Sequence, residues 1–107
     1  MNSQSKKEMI EEIIGILKKF PEIEKIVIFG SFLHSPNPND LDLAIFQESA
    51  EAYLPLALKY RKALRPVSRR FPIDLLPLSP TGEGAFLQEI HRGTVIYERE
   101  PRSASVA

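Results

Sequence analysis

Two aspartates, Asp40 and Asp42, stand two residues apart where apolar and polar residues alternate. On a β-strand, residues with this spacing point to the same face and lie about 6.5 to 7 Å apart along the chain. Two carboxylates held there repel each other unless a positive charge lies between them. A hard divalent cation such as Mg²⁺ or Mn²⁺ prefers oxygen ligands and meets this need. The spacing therefore favours a metal site on this strand.

Asp74 is a third candidate ligand for the same site. It lies within an apolar stretch, from Pro72 to Leu76, where an unpaired charge would be costly. If this stretch is a strand beside the strand of Asp40 and Asp42, the three carboxylates converge at one rim of the sheet, and we expect this arrangement. The alternative is that all three are solvent-facing residues on an uncovered face of the sheet.

Gly30 and Ser31 follow a short apolar run, Lys25 to Phe29, which is typical of a buried strand. Glycine permits close approach of the backbone, and backbone amides together with a serine hydroxyl can hold phosphate oxygens. A Gly-Ser pair alone is usually just a turn. Because an Asp-x-Asp strand and then Asp74 follow it, the pair predicts a phosphate-binding turn close to the carboxylates.

The rest of the sequence predicts the elements that position these residues. A helix begins at Ser5, whose hydroxyl forms a capping box with Glu8, and it ends before Pro21. The later elements are two strands, a helix, a strand, a short helix closed by Gly93 and a last strand, at residues 25–29, 40–46, 54–64, 72–76, 85–92 and 94–98. The loop between the first two strands is too short for a parallel crossover, which favours antiparallel pairing of these strands.

This order predicts an α/β (α+β) fold, with a single small mixed β-sheet and helices packed on one face. The 107 residues fit one domain over residues 1–98, and the polar tail at 99–107 is expected to be disordered. The sequence has no cysteine, which excludes disulfides and thiolate metal sites. It has no signal-peptide pattern and no apolar run near the roughly 18 residues of a membrane helix. We therefore expect a cytoplasmic domain without a membrane partner.

The charges cancel overall, with 14 basic and 14 acidic residues, so the net charge favours no class of partner. Their distribution is uneven, because no acidic residue lies between Glu51 and Asp74 while six basic residues fall there: Lys59, Arg61, Lys62, Arg65, Arg69 and Arg70. This basic block can attract phosphate, or it can be an ordinary solvated helix face.

The segments Ile28-Phe29-Gly30-Ser31 and Asp40-Leu41-Asp42-Leu43-Ala44-Ile45 resemble the signature of the DNA polymerase β-like nucleotidyltransferase superfamily. Within it, the length and the C-terminal segments Phe86 to Ile90 and Val95 to Glu98 are most similar to the minimal nucleotidyltransferase (MNT) proteins. The resemblance covers roughly residues 8 to 98 and implies a nucleotidyltransferase-like fold.

The resemblance implies that Gly30 and Ser31 hold a triphosphate, that Asp40 and Asp42 ligate two Mg²⁺ or Mn²⁺ ions, and that Asp74 completes the site. The family reaction transfers a nucleoside monophosphate, here AMP from ATP, to an acceptor hydroxyl and releases pyrophosphate. Asp74 is the candidate to orient or deprotonate the acceptor. Many minimal members are antitoxins paired with a helical HEPN protein, some of them adenylylating it, so the resemblance implies such a partner. Nucleic acid is not expected as a partner, and a homo-oligomer is left open.

The loop after Ser31 departs from the family pattern, in which a Gly-Ser-Arg-x-Arg-Gly segment is common. Here only eight residues separate Ser31 from Asp40, and the loop lacks that basic group. Protonated His34 is a candidate substitute, although a pKa near 6.5 would make it a weak cation at neutral pH. His91 is expected to interact with a helix dipole.

Two other functions remain open. The shortened loop favours a non-catalytic, nucleotide-binding, antitoxin-like interaction module. The basic block favours a nucleic-acid-binding accessory domain.

Overall fold

A four-stranded mixed sheet is the centre of the computed structural model, which describes residues 1–49, 51–79 and 87–99. The elements in chain order are α1 (Ser3–Leu17), β1 (Ile23–Phe29), β2 (Leu41–Gln47), α2 (Tyr53–Ala63), α3 (Arg65–Ser68), β3 (Ile73–Leu78), α4 (Leu87–His91) and β4 (Thr94–Glu98). The strand order is β3-β2-β1-β4. The predicted fold class, a single small mixed sheet with helices, is therefore confirmed.

The pairing of the strands follows from the lengths of their connections. β1 and β2 pair antiparallel, as their short loop predicted, and β4 pairs antiparallel with the other edge of β1. β2 and β3 are joined through α2 and α3, and this longer crossover allows parallel pairing. In that parallel register Asp42 lies opposite Asp74. The topology thus carries two of the three aspartates onto neighbouring positions.

The main core lies between three helices and one face of the sheet. α1 contributes Ile13 and Leu17, and α2 contributes Leu56 and Tyr60, all of them fully or almost fully buried. They pack against alternate residues of the strands, including Leu41, Leu43 and Ile45. Each such aliphatic side chain contributes about 1.5 to 3 kcal/mol through burial. The apolar stripe of the first helix and the alternating apolar residues of the strands, both visible in the sequence, therefore pack into one core.

The short helix α4 is the exception to the expected single-sided packing. Its Ile90 belongs to a second buried cluster with Val27, Ala44 and Phe46, which point away from the main core. Helices α1 to α3 thus cover one face, while α4 covers part of the other. Asp42 belongs to the same alternation as Ala44 and Phe46, so its carboxylate lies on the face that α4 leaves partly open.

The capping box predicted at Ser5 was wrong. The helix begins at Ser3, and its N-cap is Asn2, whose side-chain oxygen accepts a hydrogen bond from the Ser5 amide at 2.7 Å. Asparagine is as good an N-cap as serine, and it stands one turn earlier. The amide of Ser5 thus donates to the cap, whereas the capping box would have made the Ser5 hydroxyl oxygen the acceptor for the amide of Glu8.

Other predicted boundaries shift by a few residues. Pro66 was expected beyond the end of a helix but lies in the first turn of α3, where proline is tolerated because no amide donor is needed there. Of the helix predicted at 85–92, residues 85 and 86 lie outside the described residues. The tail at residues 100–107 also lies outside the described residues. Arg99 itself is described, and its guanidinium donates to the carbonyls of Ile23 and Phe20. Within the described residues, no helix is long and apolar enough to span a membrane.

Candidate active site

The three aspartates of the sequence meet at one rim of the sheet. Asp40 immediately precedes β2, Asp42 lies on β2 and Asp74 lies on β3. One carboxylate oxygen from each lies within 4.8 Å of the others. The start of the β2–β3 pairing is fixed by the amide of Leu41, which donates to the carbonyl of Pro72 at 3.0 Å. The predicted convergence of these side chains is confirmed, and their roles as ligands remain a prediction.

The environment of this cluster fits a hard cation. Asp40 and Asp42 are half-buried and Asp74 is exposed. Three carboxylates this close repel one another, and a divalent ion with oxygen ligands relieves the repulsion. Exposed acidic groups also occur without metals, so a second feature must support the assignment.

Gly30 provides that second feature. It has a φ of +75°, a conformation that side-chain-bearing residues rarely adopt. A β-carbon at this position would overlap the Oδ2 atom of Asp42. Glycine is therefore required both by the turn and by the carboxylate beside it. The backbone at the end of β1 lies directly against the acidic cluster, where amides and phosphates could come together.

Ser31 opens a single helical turn after Gly30. Its carbonyl accepts hydrogen bonds from the amides of His34 at 3.1 Å and Ser35 at 2.8 Å. Its side chain is exposed, and no hydrogen bond within the described part of the chain occupies the hydroxyl. Phe32 anchors the turn, because it is fully buried and stacks edge-to-face on Phe71 with 5.6 Å between ring centroids.

Helix α1 holds the short loop from the outside. The ammonium of Lys6 donates to the carbonyl of Ser35 at 2.7 Å and lies 5.5 Å from the ring centroid of Phe32. The N-terminal amino group of Met1 donates to the carbonyl of Pro36 at 2.9 Å. The shortened loop is thus a fixed structure, and the charge of Lys6 is already used within it.

A cleft of about 310 Å³ opens beside Gly30, between the loop and the start of β4. His34 and Arg92 both line this cleft. Gly93 packs so closely on the carbonyl of Ile28 that no side chain would fit there, and this contact fixes Arg92 at the cleft. Arg92 was missed from the sequence, because its only signal was its position before the glycine that closes α4. His91, as expected, lies in the last turn of that helix.

A second groove, of about 510 Å³, lies on the other side of the carboxylates, between α2–α3 and β3. Asp74 is one of its lining residues, together with Arg61, Lys62 and Arg65. The remaining cations of the basic block lie outside it. Lys59 forms a salt bridge with Glu22 at 2.7 Å, and Arg70 pairs with Glu12. The basic block therefore divides into three cations that line the groove and three that lie outside it, two of which are paired with carboxylates.

A family model described as polymerase beta, nucleotidyltransferase matches residues 11–102. The chain belongs to this nucleotidyltransferase family. The match spans the Gly30-Ser31 turn and all three aspartates, and it confirms the family that the sequence resembles. No curated protein sequence matches the chain.

Several solved structures share the fold. One is the complex of a tri-AMPylated HEPN toxin of Shewanella oneidensis with an MNT antitoxin, at 21% identity and a TM-score of 0.59, covering 94% of this chain and 77% of that chain. Another is a toxin–antitoxin structure with AMP-PNP, at 23% identity and a TM-score of 0.60, covering 85% and 74% of the two chains. A MntA–HepT toxin–antitoxin structure has 21% identity, a TM-score of 0.57 and coverages of 88% and 74%. At these identities the likeness shows the fold alone.

Proposed function

We propose that this chain is a metal-dependent nucleotidyltransferase that transfers AMP from ATP to a hydroxyl group of a partner protein. The observation that carries the proposal is the convergence of Asp40, Asp42 and Asp74 against the Gly30-Ser31 turn. Carboxylates for metal and backbone amides for phosphate are the two requirements of phosphoryl-transfer chemistry, which depends on positioning and on neutralising charge.

Asp40, Asp42 and Asp74 would hold one or two Mg²⁺ or Mn²⁺ ions, which when bound neutralise the phosphate oxygens and the leaving group. The amides that follow Gly30 and the hydroxyl of Ser31 bind phosphate oxygens, because they lie next to the carboxylates and the hydroxyl is exposed. Arg92 supplies the cation that the shortened loop lacks, since its guanidinium keeps its charge at neutral pH.

In the proposed reaction the acceptor oxygen forms a bond to the α-phosphorus of ATP. The bond from that phosphorus to the oxygen bridging the α- and β-phosphates breaks, and pyrophosphate leaves with the electron pair. Asp74, the most exposed of the three carboxylates, orients the acceptor hydroxyl and takes up its proton.

The partner and the nucleotide are proposed from the structures that share the fold. One of them contains AMP-PNP, and another contains a HEPN toxin that carries AMP groups beside an MNT antitoxin. We therefore propose ATP as the donor, a helical HEPN-type protein as the acceptor, and an antitoxin role for the chain.

Labelling at two positions of ATP tests the activity. The protein is incubated with Mg²⁺ and a cell extract freed of small molecules, using ATP labelled at either the α- or the γ-phosphate. We expect a protein band that carries α-label, that lacks γ-label, and that is absent with Asp42→Asn. Mg²⁺-dependent binding of AMP-PNP without any α-label transfer would instead support the non-catalytic interaction module, which the missing basic group of the loop favours.

The role of Arg92 has its own test. Arg92→Ala should raise the Kd for Mg²⁺–AMP-PNP about tenfold or more, since a hydrogen bond to a charged group contributes about 1.5 to 3 kcal/mol. Arg69→Ala is the matched control, because Arg69 is also exposed but lies outside the cleft. Equal affinities of the two variants by calorimetry would remove Arg92 from the site.

A further inference from the structure

The cleft at Gly30 and the groove at Asp74 lie toward opposite edges of the sheet, with the carboxylates between them. Along the strand order β3-β2-β1-β4, the groove at Asp74 belongs to β3, whereas the cleft at Gly30 lies between β1 and β4. In an in-line displacement the attacking and leaving oxygens lie on opposite sides of the phosphorus. If the triphosphate takes the side of Gly30, the acceptor must approach from the side of Asp74. The groove at Asp74 therefore lies at the edge of the sheet from which the acceptor approaches, because β3 is the edge strand beyond β2.

The rim of this groove is strongly basic. Arg61, Lys62 and Arg65 are all exposed, and among the described residues no carboxylate lies within salt-bridge distance of any of them. Lys59, by contrast, is paired with Glu22 and Glu51. Three cations beside Asp74 favour an acceptor with negative charge.

The helix that borders the groove also carries exposed apolar side chains. Leu58 lines the groove and is 56% exposed, and Leu54, one turn earlier in α2, is 63% exposed. The spacing of Leu54, Leu58 and Arg61 is four and then three residues, so these side chains form one stripe on the outer face of the helix. Exposed leucines give a phosphate backbone nothing to bind, whereas a protein can bury them. The combination favours a protein over a nucleic acid.

We infer that the groove between α2–α3 and β3 docks the acceptor protein, through an acidic segment that also presents an apolar side chain next to its hydroxyl. The inference rests on the proposed function for the direction of approach. It adds the chemical class of the acceptor segment and the surface that selects it. The basic rim pairs with the acidic side chains, Leu58 is covered by the apolar one, and the hydroxyl reaches Asp74.

The test is the binding of labelled polymers, which needs no catalysis. The probes are fluorescein-labelled random copolymers of glutamate with tyrosine and of lysine with tyrosine, and an oligothymidylate of matched net charge. We expect the glutamate–tyrosine polymer to bind at least tenfold more tightly than the other two, by fluorescence anisotropy. Oligothymidylate binding as tightly as that polymer would overturn the inference in favour of a nucleic-acid groove.

Variants with matched charge locate the binding. Arg61→Glu with Arg65→Glu should weaken glutamate–tyrosine binding at least tenfold, whereas Lys18→Glu with Lys19→Glu, exposed residues outside the groove, should leave it within twofold. Leu58→Ser, which keeps every charge, should weaken it several-fold. Equal losses in the two charge-reversed variants would overturn the inference, because binding would then follow net charge alone. If the first pair fails to fold, Arg61→Gln with Arg65→Gln replaces it.

A melting curve with Mg²⁺ and AMP-PNP separates this inference from the proposed function. The groove variants should keep the stabilisation by nucleotide that the parent shows. A parent that prefers the glutamate–tyrosine polymer but shows no nucleotide shift would contradict the proposed function and leave the docking surface in place. A parent that shows a nucleotide shift but no polymer preference would contradict the docking surface and leave the proposed function in place.

Discussion

Asp42→Asn is the change that most directly tests the carboxylate cluster. Asp42 lies between two other carboxylates, with oxygens within 4.8 Å. At this distance each pair of like charges costs about 0.9 kcal/mol in a water-like medium and about 3.5 kcal/mol at an effective dielectric constant of 20. Because the cluster lies at the rim of the sheet and Asp74 is exposed, the water-like value is the better guide. The loss of these two repulsions should therefore contribute up to about 2 kcal/mol to the stability of the metal-free variant.

The metal-free variant should accordingly be as stable as the parent or more stable. Each kcal/mol raises Tm by about 4 to 8 °C in a domain of this size. The response to ligand should change in the opposite direction. At a hundred times Kd, Mg²⁺ and ATP should stabilise the parent by about 2.7 kcal/mol, and most of this gain should disappear in Asp42→Asn. Nucleotidyl transfer should disappear with it.

The assay is a melting series of both proteins with no ligand, with Mg²⁺ alone, and with Mg²⁺ and ATP at millimolar concentrations. Glu48→Gln is the matched control, since it removes one carboxylate charge from an exposed residue outside the cluster. It should change neither the Tm without ligand nor the rise in Tm that the ligands cause. A variant that melts below the parent without metal, and yet keeps its ligand shift, would refute the reasoning. A parent without any metal-dependent shift would leave the interaction module as the better function.

Three further predictions concern the Gly30-Ser31 turn and Glu22, the residue just before β1. Ser31→Ala should weaken nucleotide binding by about 1 kcal/mol in calorimetry, with unchanged Tm, because one exposed hydroxyl is lost; unchanged affinity would count against a phosphate-binding role. Gly30→Ala should lower stability by about 1 to 2 kcal/mol in urea unfolding, because φ is +75°, whereas Gly15→Ala, in open space within α1, should raise it by up to about 1 kcal/mol; equal effects would contradict this difference. Burial raises the pKa of Glu22, but its hydrogen bond from Lys59 and its other bonds outweigh this and hold the pKa below its ordinary value of 4.5. The stability that Glu22 gives relative to Glu22→Gln should therefore be constant above pH 4.5 and fall as the solution becomes more acidic, measured as Tm from pH 3 to 8; a difference that does not vary with pH would exclude this linkage.

The carboxylate cluster could be predicted because its geometry follows from local rules. The two-residue period of a strand puts Asp40 and Asp42 on one side, and the short loop after Ser31 makes the first pairing antiparallel. The location of Asp74 needed one further condition, that its strand lies beside β2. Whether the two strands are neighbours could not be predicted from the sequence, because strand order depends on how α2 and α3 pack on the sheet.

The residues that sequence reasoning missed depend on contacts between distant parts of the chain. Arg92 reaches the cleft only because Gly93 packs on the carbonyl of Ile28, some sixty residues earlier. Similarly, the sequence shows a basic block but not which cations are already paired. Arg70 pairs with Glu12 of α1, whereas Arg61 lies in the groove at Asp74. Long-range packing decides such pairs, and no local pattern encodes it.

The shortened loop is the strongest argument against catalysis, and under the proposed function other residues take the place of the missing ones. A longer loop would have to be ordered around the triphosphate, at a cost in conformational entropy for each residue fixed. Here the loop is already fixed, by buried Phe32 and by the bond from Lys6 to Ser35. The cation is then available from Arg92 on the neighbouring segment, which Gly93 holds against β1. A turn that is ordered before the nucleotide binds, with its positive charge supplied from outside the loop, is consistent with an active nucleotidyltransferase.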